Sequence, residues 1–175
     1  MKIRLSLLFL LVVLARLTAE NFEEIAFPDV EGKNLLGSTV AFPEAFSSCQ
    51  YHLVIVAFQQ RQQEEVDTWL PSLIQLEKRN ENFKVLELPT IEKMNRLMRW
   101  VIYRGMRSGI EETSARGRTI TLHIDKKPFK EALRIESEES VRLYLVSSEG
   151  VVLWQFRGPY SEKAFQMIEQ KIAVR

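Results

Sequence analysis

The chain has 175 residues, 46% hydrophobic and 27% charged, enough apolar material to bury the core of one ordinary globular domain. A formal net charge of +1 gives no basis for nucleic-acid binding. Seven glycines, six prolines and no internal repeat exclude collagen-like, low-complexity and solenoid architectures.

The first 19 residues, MKIRLSLLFLLVVLARLTA, place Lys2 and Arg4 before an apolar run from Leu5 to Ala15 and end on the small residues Thr18 and Ala19. This is the pattern of a secretory signal peptide cut after Ala19. The run is shorter than the roughly 20 apolar residues of a membrane-spanning helix. The expectation is an exported protein, periplasmic or secreted. Leu17 fits the −3 position poorly, so anchoring through an uncleaved leader stands as the alternative. A mitochondrial presequence fits less well, because the segment is too apolar and lacks spread arginines. Residues 20–175 then form a single domain, and losing Lys2, Arg4 and Arg16 takes the net charge to −2.

Residues 26–46 (AFPDVEGKNLLGSTVAFPEAF) read as two short extended pieces with turns at Glu31-Gly32 and Leu36-Gly37, and Pro28 and Pro43 suit sheet edges. His52–Phe58 is almost continuously apolar and β-branched, the mark of a strand buried on both faces. From Glu64 to Arg79, Val66, Trp69, Leu70, Leu73, Ile74 and Leu76 recur at helical spacing, with Pro71 expected to kink the helix. Phe83–Leu88 is the next strand, closed by Pro89. A second helix is expected over Ile91–Tyr103. Thr119–Asp125 alternates as a strand does, and Lys127–Leu133 is a short helix with Pro128 in its first turn. Val141–Val146 and Val151–Phe156 flank a turn ending in Gly150 and predict a hairpin. Ser161 caps a last helix, Glu162–Ile172. Alternating strands and helices closed by an antiparallel hairpin predict an α/β three-layer sandwich with a mixed central sheet and an N-terminal β-hairpin.

The strand LVIVAF, the helix carrying Pro71, the segment DKKPFKEAL and the ending RLYLVSSEGVVLWQFRGPYSEKAFQMI together resemble the thioredoxin-like superfamily, in its redoxin branch, over residues 26–172. The resemblance implies a cysteine pair at the start of the kinked helix and a cis-proline facing it before the late strand. This chain has Gln62, Gln63, Glu64, Glu65 and Val66 at the first place and Ser140, Val141, Arg142 and Leu143 at the second. Thiol–disulfide exchange needs a thiolate and a resolving thiol, and glutamine amides supply neither. Within the superfamily, the helix with Trp100, the MRSG stretch after it, and YLVSSEGVVLW with Trp154 and Gly158 are similar to the thioredoxin-like assembly factor of the mitochondrial ATP synthase and its prokaryotic relatives. That resemblance implies a chaperone-like role toward a membrane complex in place of redox chemistry.

The candidate residues follow from this. Gln60, Arg61, Gln62 and Gln63 stand where the superfamily binds substrates and read as a polar recognition loop, while Glu64 and Glu65 suit the positive end of the helix dipole. Cys49 is the only cysteine and cannot form a disulfide within the chain. A one-cysteine thiol peroxidase using Cys49 is the alternative function, although a peroxidatic thiol belongs about ten residues later, after the strand. His52 lies three residues on, where a strand turns its side chain to the opposite face. Cys49, His52 and His123 have no metal-ligand spacing, so no metal or cofactor is expected. Arg96, Arg99 and Arg107 share one helical face with Arg104 at its edge, and Leu97, Met98, Val101 and Ile102 lie opposite. Arg116 and Arg118 follow. This arginine side reads as a solvated face or as an anion-facing patch for an acidic partner or lipid headgroups. Trp69, Trp100 and Trp154 are expected in or near the core, and Trp100, which leans toward the arginine side, is the one suited to an interface. The expected partner is a protein, such as a subunit of a membrane complex, with an anionic lipid surface as a further candidate.

Overall fold

The apolar run after Gln50 forms the centre of the fold. In the computed structural model, which describes residues 24–173, it is strand β3 (Tyr51–Ala57) of a seven-stranded sheet. The expected signal peptide lies outside the described residues. The other strands are β1 (Val30–Asn34), β2 (Thr39–Phe42), β4 (Phe83–Glu92), β5 (Ile120–Ile124), β6 (Arg142–Ser147) and β7 (Val152–Arg157). The helices are α1 (Gln63–Arg79), α2 (Arg96–Gly109), α3 (Thr113–Arg118), α4 (Lys126–Ala132) and α5 (Glu162–Ala173). The sheet order is β2-β1-β5-β4-β3-β6-β7. β3, β4 and β5 run parallel, and both edges are antiparallel hairpins. This is the expected α/β sandwich with a mixed sheet and an N-terminal hairpin.

Two cores lie on the two faces of β3. Leu53 and Ile55 pack with Val66, Trp69 and Leu73 of α1 and with Phe165 and Ile168 of α5. Val54 and Val56 pack on the other side with Phe129 of α4, Leu133 and a cluster of Phe27, Phe42 and Phe46, whose Phe27 and Phe46 rings meet edge-on at 5.0 Å. Burying each aliphatic side chain contributes about 1.5–3 kcal/mol, so both layers of helix are needed. Trp69 is fully buried, and its Nε1–H donates to the Gly158 carbonyl at 3.0 Å. Trp154 is half-buried and stacked on Phe156.

Three boundaries differ from the sequence expectation. Glu31 and Gly32 are in β1 rather than at a turn. A Cβ on Gly32 would stand 2.6 Å from Ile120 Cγ2 and 2.7 Å from Leu122 Cδ2, so this glycine marks close strand approach. β4 continues through Pro89 to Glu92. Pro89 is the last rung opposite β3, and on the β5 side Glu87 bridges Thr119 and pairing resumes at Thr90, so the missing N–H falls in a gap between those rungs. Ile91 therefore belongs to a strand. The second helix starts at Arg96, where the Asn95 side chain accepts from the Met98 N–H at 2.9 Å, and runs on to Gly109.

His52 is 2% exposed, its Nε2 lies 3.2 Å from Ser48 Oγ, and its ring meets Phe46 at 5.2 Å. Burial, and then the charge of Lys84, push its pKa down to about 4. An unfolded histidine takes up its proton near pH 6.5, so the unfolded chain binds more protons between about pH 4 and 6.5. Stability therefore rises with pH across that window, and His52 accounts for roughly 2–3 kcal/mol of the rise. Urea denaturation at stepped pH is expected to show this slope in the wild type and a rise smaller by His52's share in His52→Phe. An unchanged slope would mean that His52 is protonated in the folded chain.

Candidate functional site

The polypeptide leaves β3 at Ala57, passes through Phe58 and Gln59, and turns through a short 3-10 segment, Gln60–Gln62, into α1. Gln62 is 1% exposed. Its Oε1 accepts from the backbone N–H of Phe58 at 2.7 Å and of Gln59 at 3.0 Å, and its Nε2 donates to the Glu138 carbonyl at 2.9 Å. Gln59 Nε2 donates to the same carbonyl at 3.1 Å. Three residues into α1, Glu65 Oε2 accepts from the Val141 N–H at 3.2 Å. The start of α1 is thus fastened to the 138–141 segment that leads into β6.

That segment is held from its other side as well. The Glu138 carboxylate pairs with Lys126 Nζ at 2.6 Å and Lys130 Nζ at 2.8 Å, both from α4. Partial burial works against this carboxylate, but the two ammonium groups outweigh it and hold its pKa below the usual range. Lys126 Nζ also lies 5.6 Å from the centre of the Phe58 ring.

These contacts sort the candidate residues. Gln62, expected in a recognition loop, is an interior brace: its amide uses both donor and acceptor within the chain. Gln60, Arg61 and Gln63 are exposed. Arg61 Nε donates to Gln59 Oε1 at 2.7 Å, and Gln63 Nε2 to Asp67 Oδ1 at 2.9 Å. Cys49 follows the short helical turn Glu44–Ser48 and precedes β3, whereas α1 follows the other end of that strand. Seven residues of strand at ~3.3 Å each put the thiol roughly 20 Å from the start of α1. Its Sγ lies 3.4 Å from the Glu81 carbonyl, and His52 engages Ser48 rather than the thiol. Among the described residues, no group of three or more His, Cys, Asp or Glu side chains is placed to hold a metal ion.

The arginine-rich stretch divides in two. Arg116 Nε donates to the Ile110 carbonyl at 2.6 Å, and its Nη2 to the Arg107 carbonyl at 3.2 Å, satisfying carbonyls at the end of α2. Arg118 Nε is 3.0 Å from Glu87 Oε1 in a nearly buried pair. Burial pushes the Glu87 carboxyl up, and the guanidinium pulls against it. Arg116 and Arg118 are therefore structural rather than part of an anion-facing patch. Arg96 opens α2, and Arg99, Arg104 and Arg107 remain exposed. Arg104 lies over the Trp100 ring at 5.3 Å. Arg99, Trp100 and Tyr103 overhang a hollow of about 350 Å³ completed by Lys33, Thr121 and His123. Burial, and then the charge of Arg99, lower the pKa of His123.

The apolar side of α2, which periodicity located, is left outside: Leu97 is 73% exposed, Val101 51% and Met98 50%. Trp100, expected in or near the core, is 54% exposed on the arginine side. The helix is held instead by Tyr103, whose hydroxyl donates to the Leu35 carbonyl at 3.1 Å, and by Met106, whose sulfur lies 3.8 Å from Thr121 Oγ1. The alternation of TITLHID carries the signal for this, since it gives the strand under α2 a polar face.

No known protein family and no curated protein matches the sequence. Solved structures do match in fold. The thioredoxin domain of a thiol-disulfide oxidoreductase from Bacteroides vulgatus superposes with a TM-score of 0.52 at 17% identity, covering 83% of this chain and 94% of that one. BsSco, a member of the Sco family of cytochrome c oxidase assembly proteins, gives 0.55 at 11% identity, covering 87% and 96%. The pneumococcal exposed lipoprotein thioredoxin of Streptococcus pneumoniae gives 0.55 at 12% identity, covering 82% and 99%. The chain has the thioredoxin-like fold of thiol:disulfide oxidoreductases, with one cysteine in its sequence.

Gln62→Ala strands two N–H groups and removes a donor from Glu138, and is expected to lower stability by roughly 2–4 kcal/mol in urea titrations. Alanine at exposed Gln60 or Gln63 should cost less than about 0.5 kcal/mol. Equal effects at the three positions would contradict the interior role of Gln62. Arg118→Leu leaves Glu87 buried without its cation and is expected to cost about 3 kcal/mol. Adding Glu87→Leu should restore most of that loss in a double-mutant cycle.

Proposed function

We propose that this chain is an exported, non-redox thioredoxin-like domain that binds a protein partner and assists the assembly or upkeep of a membrane complex. The observation that carries this reading is the start of α1. Gln62 occupies the turn where the fold's redox members place cysteines, and it is committed to three internal hydrogen bonds. Disulfide exchange there has neither an attacking thiolate nor a resolving thiol. Around this brace, Gln60, Arg61 and Gln63 lie beyond the end of β3, the side on which open α/β sheets bind ligands. Their amides and guanidinium suit the backbone and carboxylates of a protein partner. BsSco, described as one of the cytochrome c oxidase assembly proteins, is a precedent for an assembly role on this fold. The resemblance carried by Trp100, Trp154 and Gly158 points the same way, and the expected leader places the domain across a membrane.

The test is affinity recovery with tagged residues 20–175 from the organism's own solubilised membranes, read by mass spectrometry. Subunits of one membrane complex are expected, with recovery falling at least about tenfold for the combined Gln60→Ala, Arg61→Ala and Gln63→Ala variant. Cys49→Ser should recover them as the wild type does. Loss of recovery with Cys49→Ser, or undiminished recovery with the loop variant, would overturn the reading.

A further inference from the structure

We propose that α2 is an interfacial helix that seats the domain on an anionic phospholipid bilayer, with Leu97, Met98 and Val101 dipping into the headgroup region and Arg104 and Arg107 at its rim. This goes beyond the protein partner proposed for the loop and does not depend on it. Leu97, Met98 and Val101 fall on one side of the helix and are each at least half exposed. Three large apolar side chains grouped on one exposed face call for a partner.

The fold prevents the helix from hiding them. Asn95 caps one end, Arg116 binds the carbonyls at the other, and Tyr103 and Met106 fix its rotation over β5. Beneath it the strand presents Thr121 and His123, with Lys33 beside them, and these cannot receive leucine and valine. The apolar side is therefore held outward.

Charge selects the occupant. α2 contains Arg96, Arg99, Arg104 and Arg107 and no acidic residue, so its complement is negative. A second copy meeting this helix would bring four arginines against four. The apolar side chains form a convex ridge, which a fluid bilayer accepts without a matching groove. An apolar ridge rimmed by arginines that extend their charged ends sideways, with Trp100 half exposed beside them, is the composition of a helix lying in the bilayer surface.

Residues 24–173 contain the whole sheet and both cores, so the chain from residue 20 is the one to test, free of the apolar leader. The probe is vesicles of phosphatidylcholine with about 30% phosphatidylserine, against pure phosphatidylcholine, by co-sedimentation and tryptophan emission. Binding at least roughly tenfold tighter to the anionic vesicles is expected, weakened by about 0.5 M salt, with a blue shift that disappears in Trp100→Phe. The combined Leu97→Ser, Met98→Ser and Val101→Ser variant, altered only at exposed positions, should lose binding. Arg104→Glu with Arg107→Glu should abolish the preference for phosphatidylserine. The Gln60, Arg61 and Gln63 loop variant should bind vesicles normally, so failure here and failure of the protein partner are separable. Absence of wild-type binding, equal binding to neutral vesicles, or full binding by the triple serine variant would overturn the proposal. So would a dimer in sedimentation that the serine variant dissolves, which would make the ridge a contact between copies.

Discussion

Strand β3 has no polar face. Leu53 and Ile55 point to one side and Val54 and Val56 to the other, all of them essentially inaccessible. Water cannot cover such a strand, so helices must lie on both sides of the sheet, and the chain has to cross over after β3 to return parallel as β4. That crossover is α1. It begins where β3 ends, beside the segment that enters β6, the other neighbour of β3. The place where the fold brings α1, β3 and the approach to β6 together is a consequence of burying this one strand.

What occupies that place decides the chemistry. A cysteine pair there makes an oxidoreductase, and this chain has a glutamine. A primary amide carries an acceptor and a donor on one planar group. Gln62 can therefore receive the N–H groups of Phe58 and Gln59 and, with its other end, reach the Glu138 carbonyl. A carboxylate could do only the first, and a serine is too short for both. Lys126 and Lys130 complete the arrangement by fixing Glu138 from α4. The amide thus ties the end of β3, the start of α1 and the approach to β6 to one another.

α2 follows a different logic. Its rotation is set by what lies under it rather than by its own amphipathicity. β5 alternates, with Ile120 and Leu122 in one core, so Thr121 and His123 must face the opposite side. A helix laid over them contacts through Tyr103, Met106 and the overhanging Arg99 and Trp100, and Leu97, Met98 and Val101 are left outside. A hydrophobic stripe points to a core only when an apolar surface is available to receive it.

The amino-acid sequence by itself determined the layered α/β architecture. β3, α1, the late hairpin and α5 are each written in side-chain periodicity within one short segment, and burial of apolar surface makes that periodicity decisive. It also determined the absence of a redox pair, because one cysteine cannot make two. The tertiary structure decided the rest, where a residue's role rests on a partner far along the chain. Pro89 is tolerated in a strand because it falls between the rungs that β4 makes on its β5 side, at Glu87 and from Thr90. Gln62 turns inward because Glu138 comes to meet it from 76 residues away. Arg118 is a structural ion because Glu87, 31 residues earlier, is buried beside it. Local periodicity records which face of an element is apolar. Only the assembled sheet supplies the surface, or leaves the solvent, that the face will meet.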